Sequence, residues 1–322
     1  MKRLSERQII NLISKTLGIG KKRTLWNDDV ATMPFGSKFL VFKCDMFVLS
    51  TDAPRQMSLS QMARKSIVSS LSDLACKGVR PLATLVSIAI PKDFTEKNIA
   101  AIANGFRIAE REFNVNIIGG DTNEGKELVI DCCMIGLCDH IVKRSGARNG
   151  DLIVTSGAFG YSASGLKILT RKTKTNKQFR NKAVRAVLMP KPRLEFGELL
   201  ARYATSSMDS SDGLAITLHE LSRQSRRMFV MKELPATKEI REFAKRNRYN
   251  FNELILHGGE EYEIVATIPK RYLTRVKHLA RKTRCKLFVL GTVAKGSGVF
   301  ILEKGKRITI ERRGWEHLSK TL

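Results

Sequence analysis

The chain is predicted to fold as a mixed α/β (α+β) protein with two domains. Its 322 residues exceed the roughly 250–300 at which a single hydrophobic core usually divides, and its 43% hydrophobic residues can fill two cores. Predicted strands outnumber helices, with hairpin-like connections and some crossovers, which favours a mixed sheet over regular βα alternation. A polar, glycine-bearing break at residues 143–151 places the boundary near residue 145, between domains 1–145 and 146–322.

The first domain is predicted to combine apolar strands with amphipathic helices. Residues 39–49 are apolar and rich in Val and Phe, which predicts a strand or hairpin broken near Asp45. Apolar residues recur at helical spacing from 60 to 78, where Gly78 and then Pro81 end the helix. The later elements are a strand at 82–90, a helix at 95–112, a short strand at 115–118 running into Gly119-Gly120-Asp121, and a strand at 128–137.

The second domain is predicted to begin with a strand at residues 152–156. Residues 171–182 are basic and almost free of apolar side chains, which is typical of a solvated helix face or loop. Two glycine-containing stretches, 119–122 and 157–165, each follow a strand. Their backbone N–H groups could approach phosphate oxygens, although tight turns alone also explain such glycines. Residues 18–24 have the wrong spacing for a P-loop, which excludes that motif.

The charge balance favours a polyanionic partner or substrate. The chain carries 57 Lys and Arg against 31 Asp and Glu, for a net charge of +26. Such a balance suits nucleic acid or nucleotide phosphates and does not choose between them. No zinc finger, RNA-recognition signature or basic region with heptads is present, which argues against nucleic acid.

Targeting and cysteine patterns predict a cytoplasmic protein without a membrane contact. The N-terminal residues lack the apolar core of a signal peptide, and no run of about 18 apolar residues could cross a bilayer. The six cysteines contain no C-x-x-C pair and lie mostly in apolar stretches, as reduced buried thiols do. The five histidines do not cluster with them, so we expect no structural zinc.

Acidic residues are the most informative feature of so basic a chain. Several aspartates stand beside apolar or glycine-rich sequence: Asp28, Asp29, Asp45, Asp73, Asp121, Asp209 and Asp212. Carboxylates in such surroundings need a compensating partner, and Mg²⁺ binds through a few carboxylates plus substrate phosphates. Each also has a structural explanation, since Asp209 could cap a helix and Asp121 could occupy a turn. Their number favours a divalent-cation site.

A series of short motifs supports that interpretation. They are Asn27-Asp-Asp-Val-Ala31, Asp45-Met-Phe-Val48, Lys65-Ser-Ile-Val-Ser-Ser-Leu-Ser-Asp-Leu-Ala75 with Gly78-Val-Arg-Pro81, Gly119-Gly-Asp-Thr122, Arg144-Ser-Gly-Ala147, Met208-Asp-Ser-Ser-Asp-Gly-Leu214 and Gly258-Gly-Glu-Glu-Tyr-Glu263. In this order and spacing they resemble the thiamine-monophosphate kinase family over nearly the whole chain. That family belongs to the superfamily of aminoimidazole ribonucleotide synthetases and selenophosphate synthetases.

The resemblance implies a homodimer, joined through a core of N-terminal sheet and helices, that binds ATP and several Mg²⁺ ions. The implied reaction is ATP + thiamine monophosphate → ADP + thiamine diphosphate. By motif alignment the magnesium ligands would be Asp29, Asp45, Asp73, Asp121, Asp209 and Asp212. ATP would contact Gly120, Asp121, Arg144 and Ser211, and the residues implied in catalysis are Asp121, Asp212 and Arg144. Thiamine would contact Glu260 and Trp315.

The chain departs from the bacterial members at several of these positions. Asn27 stands in place of Gly before the aspartate pair, and Lys43-Cys44 stands in place of a Ser/Thr-Thr pair, which removes a hydroxyl ligand. Asp52 replaces a substrate-contacting His, so we assign the substrate contact to Asp52. Glu261 stands where Asp is usual. In these features the chain looks like the archaeal branch of the family.

The expected chemistry needs no general base. The acceptor is a phosphate monoester whose second pKa is about 6, so its oxygen is already ionised near neutral pH. The barrier lies in bringing two polyphosphate anions together in line, which cations and an arginine would assist. The nearest enzymatic alternative is an aminoimidazole ribonucleotide synthetase, and the alternative from another class is a basic nucleic-acid-binding protein.

Overall fold

A computed structural model describes residues 4–18 and 27–318 of the chain. Two β-sheets, each covered by helices, form a mixed α/β structure, so the predicted fold class is confirmed. The described part leaves out most of the 18–24 stretch, whose spacing excludes a P-loop, and the last four residues. Within that part, no helix is long and apolar enough to cross a membrane.

The first sheet has five strands in the order β1-β2-β5-β3-β4. Only β3 and β4 run parallel to each other, and the other neighbours are antiparallel. The strands are β1 Ala31–Phe35, β2 Lys38–Val48, β3 Pro81–Ile90, β4 Ile117–Glu124 and β5 Val129–Cys138. This mixed arrangement leaves β4 as an exposed edge strand.

Helices cover one face of the first sheet and leave the other face open. The helices before and within this part of the chain are α1 Glu6–Leu17, α2 Leu49–Asp52, α3 Leu59–Cys76 and α4 Glu96–Phe113, of which α3 packs directly on the sheet and α4 packs on α3. Alternate residues of β2, such as Val41 and Phe47, enter the core beneath α3. The opposite face carries large apolar side chains that are well exposed, among them Met46 (63%) and Ile118 (67%).

Two local predictions for this sheet were wrong. Strand β2 runs without a break through Asp45, because the acidic side chain is paired with Lys43 and need not leave the strand. Strand β4 continues through Gly119, Gly120 and Asp121 instead of turning there. Gly120 is required by a close approach of the two strands, since a Cβ at that position would lie 1.7 Å from the carbonyl oxygen of Val86.

The second sheet has seven strands in the order β12-β11-β8-β10-β6-β9-β7. All neighbours are antiparallel except β11 and β8. The strands are β6 Leu152–Thr155, β7 Ser206–Ser210, β8 Met228–Met231, β9 Glu263–Ile268, β10 Phe288–Ala294, β11 Val299–Glu303 and β12 Lys306–Thr309. Strands β6 and β9, and the edge strand β7, are buried along their whole length.

Seven helices accompany the second sheet in the described chain. They are α5 Tyr161–Thr170, α6 Lys177–Leu188, α7 Leu194–Leu200, α8 Leu214–Ser225, α9 Lys238–Asn247, α10 Phe251–Leu256 and α11 Leu273–Lys282. The basic stretch predicted at 171–182 forms a largely exposed loop and the first turns of α6. The exposure of that stretch agrees with the predicted solvated helix face or loop.

Helix α3 joins the two layers and places the site. It is buried along nearly its whole length, packs on the first sheet and also contacts β7 and β9 of the second. Its C-terminal end lies very close to α7, because a Cβ on Gly197 would fall 1.9 Å from the carbonyl oxygen of Ala75. Side chains near the end of α3 therefore face the carboxyl-bearing strand β7.

Candidate active site

Five aspartates meet where α3 passes between the two sheets, and we call them the carboxylate cluster. They come from the loop before β1, from β2, from the last turns of α3 and from β7: Asp28, Asp29, Asp45, Asp73 and Asp209. Four of the six aspartates predicted as metal ligands are thus brought together. Asp29 and Asp209 are almost completely buried, with 4% and 3% of their surface exposed.

A buried lysine and a partly buried arginine hold one end of this cluster. The Lys77 ammonium lies 2.6 Å from an oxygen of Asp28 and 2.6 Å from one of Asp29, and it donates to the carbonyl of Ser207. Arg144 forms a two-point ion pair with Asp29, and its backbone N–H donates to Asp28. Burial opposes ionisation of Asp29, but Lys77 and Arg144 outweigh it and hold the pKa of that carboxyl well below its usual range.

The other end of the cluster is less well compensated. The Ser72 hydroxyl donates to Asp209 at 2.8 Å, and Asp73 lies beside it. Burial and then the charge of Asp29 raise the pKa of Asp209 to about 6. Burial also raises the pKa of Asp73, against the attraction of Lys43, which binds both Asp73 and Asp45. The two neighbouring carboxyls are thus buried without enough positive charge beside them to offset the cost of burial.

The donor atoms present suit a hard divalent cation. Ligand atoms of Asp29, Asp209 and Cys76 lie within 4.8 Å of one another. Burial raises the pKa of the Cys76 thiol well above its ordinary value, so the carboxylate oxygens are the ligands available at neutral pH. Carboxylate oxygens are the groups that Mg²⁺ prefers. Asp73 and Asp209 would supply the negative charge that attracts such a cation.

A second group of predicted residues meets at the end of β7. The backbone N–H of Glu260 donates to the carbonyl of Ser211 at 2.6 Å, and that of Trp315 donates to the carbonyl of Asp212 at 3.0 Å. The Ser211 hydroxyl donates to Asp212, whose pKa is raised by burial. The Trp315 indole is 43% exposed. These four residues therefore form one partly exposed group directly after Asp209, which we call the opening.

Lys65 links this opening to the remaining predicted substrate residue. Its ammonium lies 2.5 Å from Glu260 and donates to the backbone carbonyl of Asp52 at 2.8 Å, although the lysine itself is only 1% exposed. The Asp52 carboxylate accepts from the N–H of Val48, which fixes the short helix α2. Asp52 and Glu260 are thus held on either side of one buried cation.

The Gly258–Glu263 motif supports this opening through its backbone and side chains. Glu260 and Tyr262 both have positive φ, 60° and 52°, which is unfavourable for residues other than Gly. Glu261 accepts from two N–H groups at the start of α5, and burial raises its pKa to about 8. Glu263 pairs with Arg193 in a space that a Cβ on Gly157 would fill. The glycine at 157 therefore has a structural role.

Gly120 and Asp121 lie apart from the carboxylate cluster. Asp121 stands on the exposed edge strand β4, in one cross-strand row with Ser87 and Asp131. Ser87 alternates with the core residue Val86, so this row belongs to the open face of the sheet. It lines a shallow cavity of about 160 Å³. Within one chain, the described residues do not bring Asp121 to Asp73 or Asp209.

Three lysines of the site were not predicted as functional. Lys43, Lys65 and Lys77 neutralise the cluster and the opening, and each contacts two different elements. The available signal was their position, since each lies within or directly after a strand or helix that is otherwise rich in apolar and small residues. A lysine that is buried needs an acidic partner, just as a buried aspartate needs a basic one.

Comparisons with known proteins agree with this geometry. A family model for the N-terminal domain of AIR synthase related proteins matches residues 27–138. The thiamine-monophosphate kinase of Nitrosopumilus maritimus is 41% identical over 317 residues, covering 98% of this chain and 99% of the relative. The Pyrococcus horikoshii thiamine-monophosphate kinase is 33% identical and covers 90% of each chain.

A solved structure shares the whole fold. The structure described as "AaThiL complexed with AMPPCP and TMP" superposes with a TM-score of 0.87 at 27% identity, covering 98% of this chain and 99% of that one. The match extends over both sheets and therefore over both halves of the candidate site. By the identity and coverage of its relatives, the chain belongs to the thiamine-monophosphate kinase family.

Proposed function

We propose that the chain transfers the γ-phosphoryl group of ATP to thiamine monophosphate, giving ADP and thiamine diphosphate. The observation that carries the proposal is the buried carboxylate cluster beside an opening lined by Ser211, Asp212, Glu260 and Trp315, in a chain of this family. The solved relative is described as a complex with AMPPCP, which is an ATP analogue, and with TMP. That description supports the same pair of substrates here.

We propose that Mg²⁺ binds at the carboxylate cluster. Asp29, Asp73 and Asp209 are the ligands favoured by the geometry, with Asp45 near Asp73, while Asp212 follows Asp209 by three residues in the chain. When bound there, Mg²⁺ would neutralise charge on the transferring phosphoryl group. Asp121 stays a predicted ligand of ATP and metal, and in one chain its neighbours are Ser87 and Asp131 rather than the cluster.

The protein's own residues would position the substrates. Arg144 lies at the edge of the cluster with 17% of its side chain exposed, where its guanidinium can bind a phosphate while it remains paired with Asp29. Lys65 fixes Glu260 against α2 and so shapes the opening for the acceptor. The acceptor oxygen is already ionised, with a second pKa of about 6, so alignment and charge neutralisation suffice.

The direct test is ADP release measured by a coupled assay across candidate phosphate monoesters. The account predicts turnover that depends on thiamine monophosphate and on Mg²⁺. Turnover with a superfamily substrate but not with thiamine monophosphate would favour the synthetase alternative. Salt-steep binding to nucleic acid, with no ADP release, would favour the alternative from the other class.

We expect Asp209→Asn to lower turnover by about 10²–10³-fold, because it removes charge from the position where the transferring phosphoryl group must be neutralised. The fold should persist, since Asn keeps the hydrogen bond from Ser72. Asp139→Asn is the matched control, because Asp139 is exposed and its only ion pair in the described chain is a 3.8 Å contact with Lys38. Near-normal turnover of the Asp209 variant would contradict the proposed role.

The stacking of Trp315 on a ring of the thiamine moiety is also a proposal. The indole is exposed beside Asp212, so it does not anchor the C-terminal segment by being buried. The backbone N–H of Trp315 does attach that segment to the carbonyl of Asp212. Trp315→Ala should weaken binding of thiamine monophosphate by roughly ten- to a hundredfold and leave an ATP analogue unaffected. Calorimetric titration checks this, with Ile308→Ala as control, because Ile308 is an exposed apolar residue of the second sheet.

The opposite result for Trp315 is well defined. Equal weakening of both ligands, together with a lowered melting temperature, would show that the residue only attaches the C-terminal segment. Equal affinities in the variant and the wild type would show that the indole contacts neither ligand.

We propose that two copies of the chain associate through the open face of the first sheet. Its exposed apolar side chains would be buried by a second copy, and they include Met46, Leu82, Leu85 and Ile118. Light scattering at micromolar concentration should give twice the 36.2 kDa chain mass. Leu85→Asp should shift the mass towards the monomer, whereas Leu166→Asp on α5 should not; a monomeric wild type would contradict the proposal.

The cysteines support the predicted cytoplasmic location. All six are free thiols, and burial raises the pKa of Cys76, Cys132, Cys138 and Cys285. Protonated, unpaired thiols suit a reducing compartment.

A further inference from the structure

Lys43 lies inside the carboxylate cluster. It precedes Asp45 by two residues on β2 and therefore shares its face of the strand, together with the core residues Val41 and Phe47. This face packs beneath α3. Only 18% of the Lys43 side chain is exposed. The lysine is thus directed inward, where an aliphatic residue would normally stand.

The Lys43 ammonium bridges two carboxylates from different elements. Its Nζ atom lies 2.9 Å from an oxygen of Asp45 on β2 and 2.5 Å from an oxygen of Asp73 on α3. Burial disfavours the charged lysine, but the two carboxylates outweigh burial and raise its pKa well above the ordinary value. The two ion pairs hold the ammonium between β2 and α3.

The ammonium divides the cluster into three parts of different charge. At one end, Lys77 and Arg144 compensate Asp28 and Asp29. At the other end, Lys43 compensates Asp45 and one oxygen of Asp73. Between them, Asp209 forms no ion pair with any lysine or arginine of residues 4–18 and 27–318, and its hydrogen-bond donor from a neighbouring side chain is Ser72. The middle of the cluster carries the excess negative charge.

We infer that the Lys43 ammonium permanently fills a cation position between Asp45 and Asp73, so that divalent ions enter the cluster only on its Asp73–Asp209–Asp29 side. The inference deepens the proposed function and rests on it for the role of the metal. A bridging ammonium supplies one charge without requiring a bound ion. A lysine ammonium has three N–H donors, so the two carboxylates leave one for a phosphate oxygen.

The inference predicts how many divalent ions the cluster can hold. Lys43→Thr removes the ammonium, leaves Asp45 and Asp73 facing an open space, and keeps a residue suited to a strand. Electron paramagnetic resonance should then count about one additional bound Mn²⁺ per chain, relative to the wild type, in protein without nucleotide. Lys43→Arg keeps the positive charge and should give the wild-type count.

Lys38→Thr is the matched control for the same substitution on the same strand. Lys38 is 47% exposed and lies 3.8 Å from Asp139, outside the cluster. This variant should bind the wild-type number of Mn²⁺ ions. A gain of one ion in Lys38→Thr as well would show that the count follows overall charge, and it would overturn the inference.

Further outcomes are equally decisive. Equal Mn²⁺ counts in folded Lys43→Thr and wild-type protein would overturn the inference. Should Lys43→Thr fail to fold without metal, recovery of native circular dichroism on adding Mn²⁺ would support a replaceable cation, and failure with Mn²⁺ present would contradict it. The count requires neither ATP nor thiamine monophosphate, so it can fail while kinase activity is found, and it can succeed where kinase activity is absent.

Discussion

The structure depends on neutralising aspartates that are buried between two sheets. Lys77 is fully buried and binds Asp28, Asp29 and the carbonyl of Ser207. One ammonium group therefore ties the loop before the first sheet, the end of α3 and strand β7 of the second sheet. Removing one partner of such a buried pair typically costs about 3–5 kcal/mol, because the other charge is left uncompensated. The site and the junction between the sheets are thus the same set of contacts.

Backbone strain accompanies the same junction. Asn27, Glu260 and Tyr262 all adopt positive φ, a conformation that costs on the order of 1–3 kcal/mol for a residue other than Gly. The hydrogen bonds from Glu260 to Ser211 and from Tyr262 to the carbonyl of Ser210 hold two of these residues in place. Asn is among the residues that tolerate this region best, which explains how Asn27 can stand where the bacterial members have Gly.

The sequence predicted the aspartates better than their surroundings. Asp29, Asp73 and Asp209 stood out because carboxylates are unexpected among apolar neighbours, and the structure does bring them together. The two wrong element predictions, at Asp45 and Gly119–Gly120, have one cause: pairing with the neighbouring strands β5 and β3 continues β2 and β4 through residues at which the local sequence predicts an interruption. The sequence could not predict that Asp121 lies apart from the carboxylate cluster, because a shift of one residue in strand register moves a side chain to the opposite face of the sheet.

The central claim is that the middle of the cluster carries uncompensated charge, and the pH dependence of stability tests it. The pKa of Asp209 is raised to about 6 in the folded protein, against about 3.9 when unfolded. The protonated Asp209 carboxyl therefore contributes to the stability of the folded protein below about pH 4, and this contribution is lost as the pH rises through about 6.

The measurement is the free energy of unfolding of metal-free wild-type and Asp209→Asn protein between pH 4 and 8. Asn mimics the protonated acid, so the wild type should lose roughly 2–3 kcal/mol relative to the variant over this range. At pH 7, Mg²⁺ should restore the lost stability of the wild type and leave the stability of the variant unchanged. A difference that stays constant with pH and is unchanged by Mg²⁺ would contradict the account.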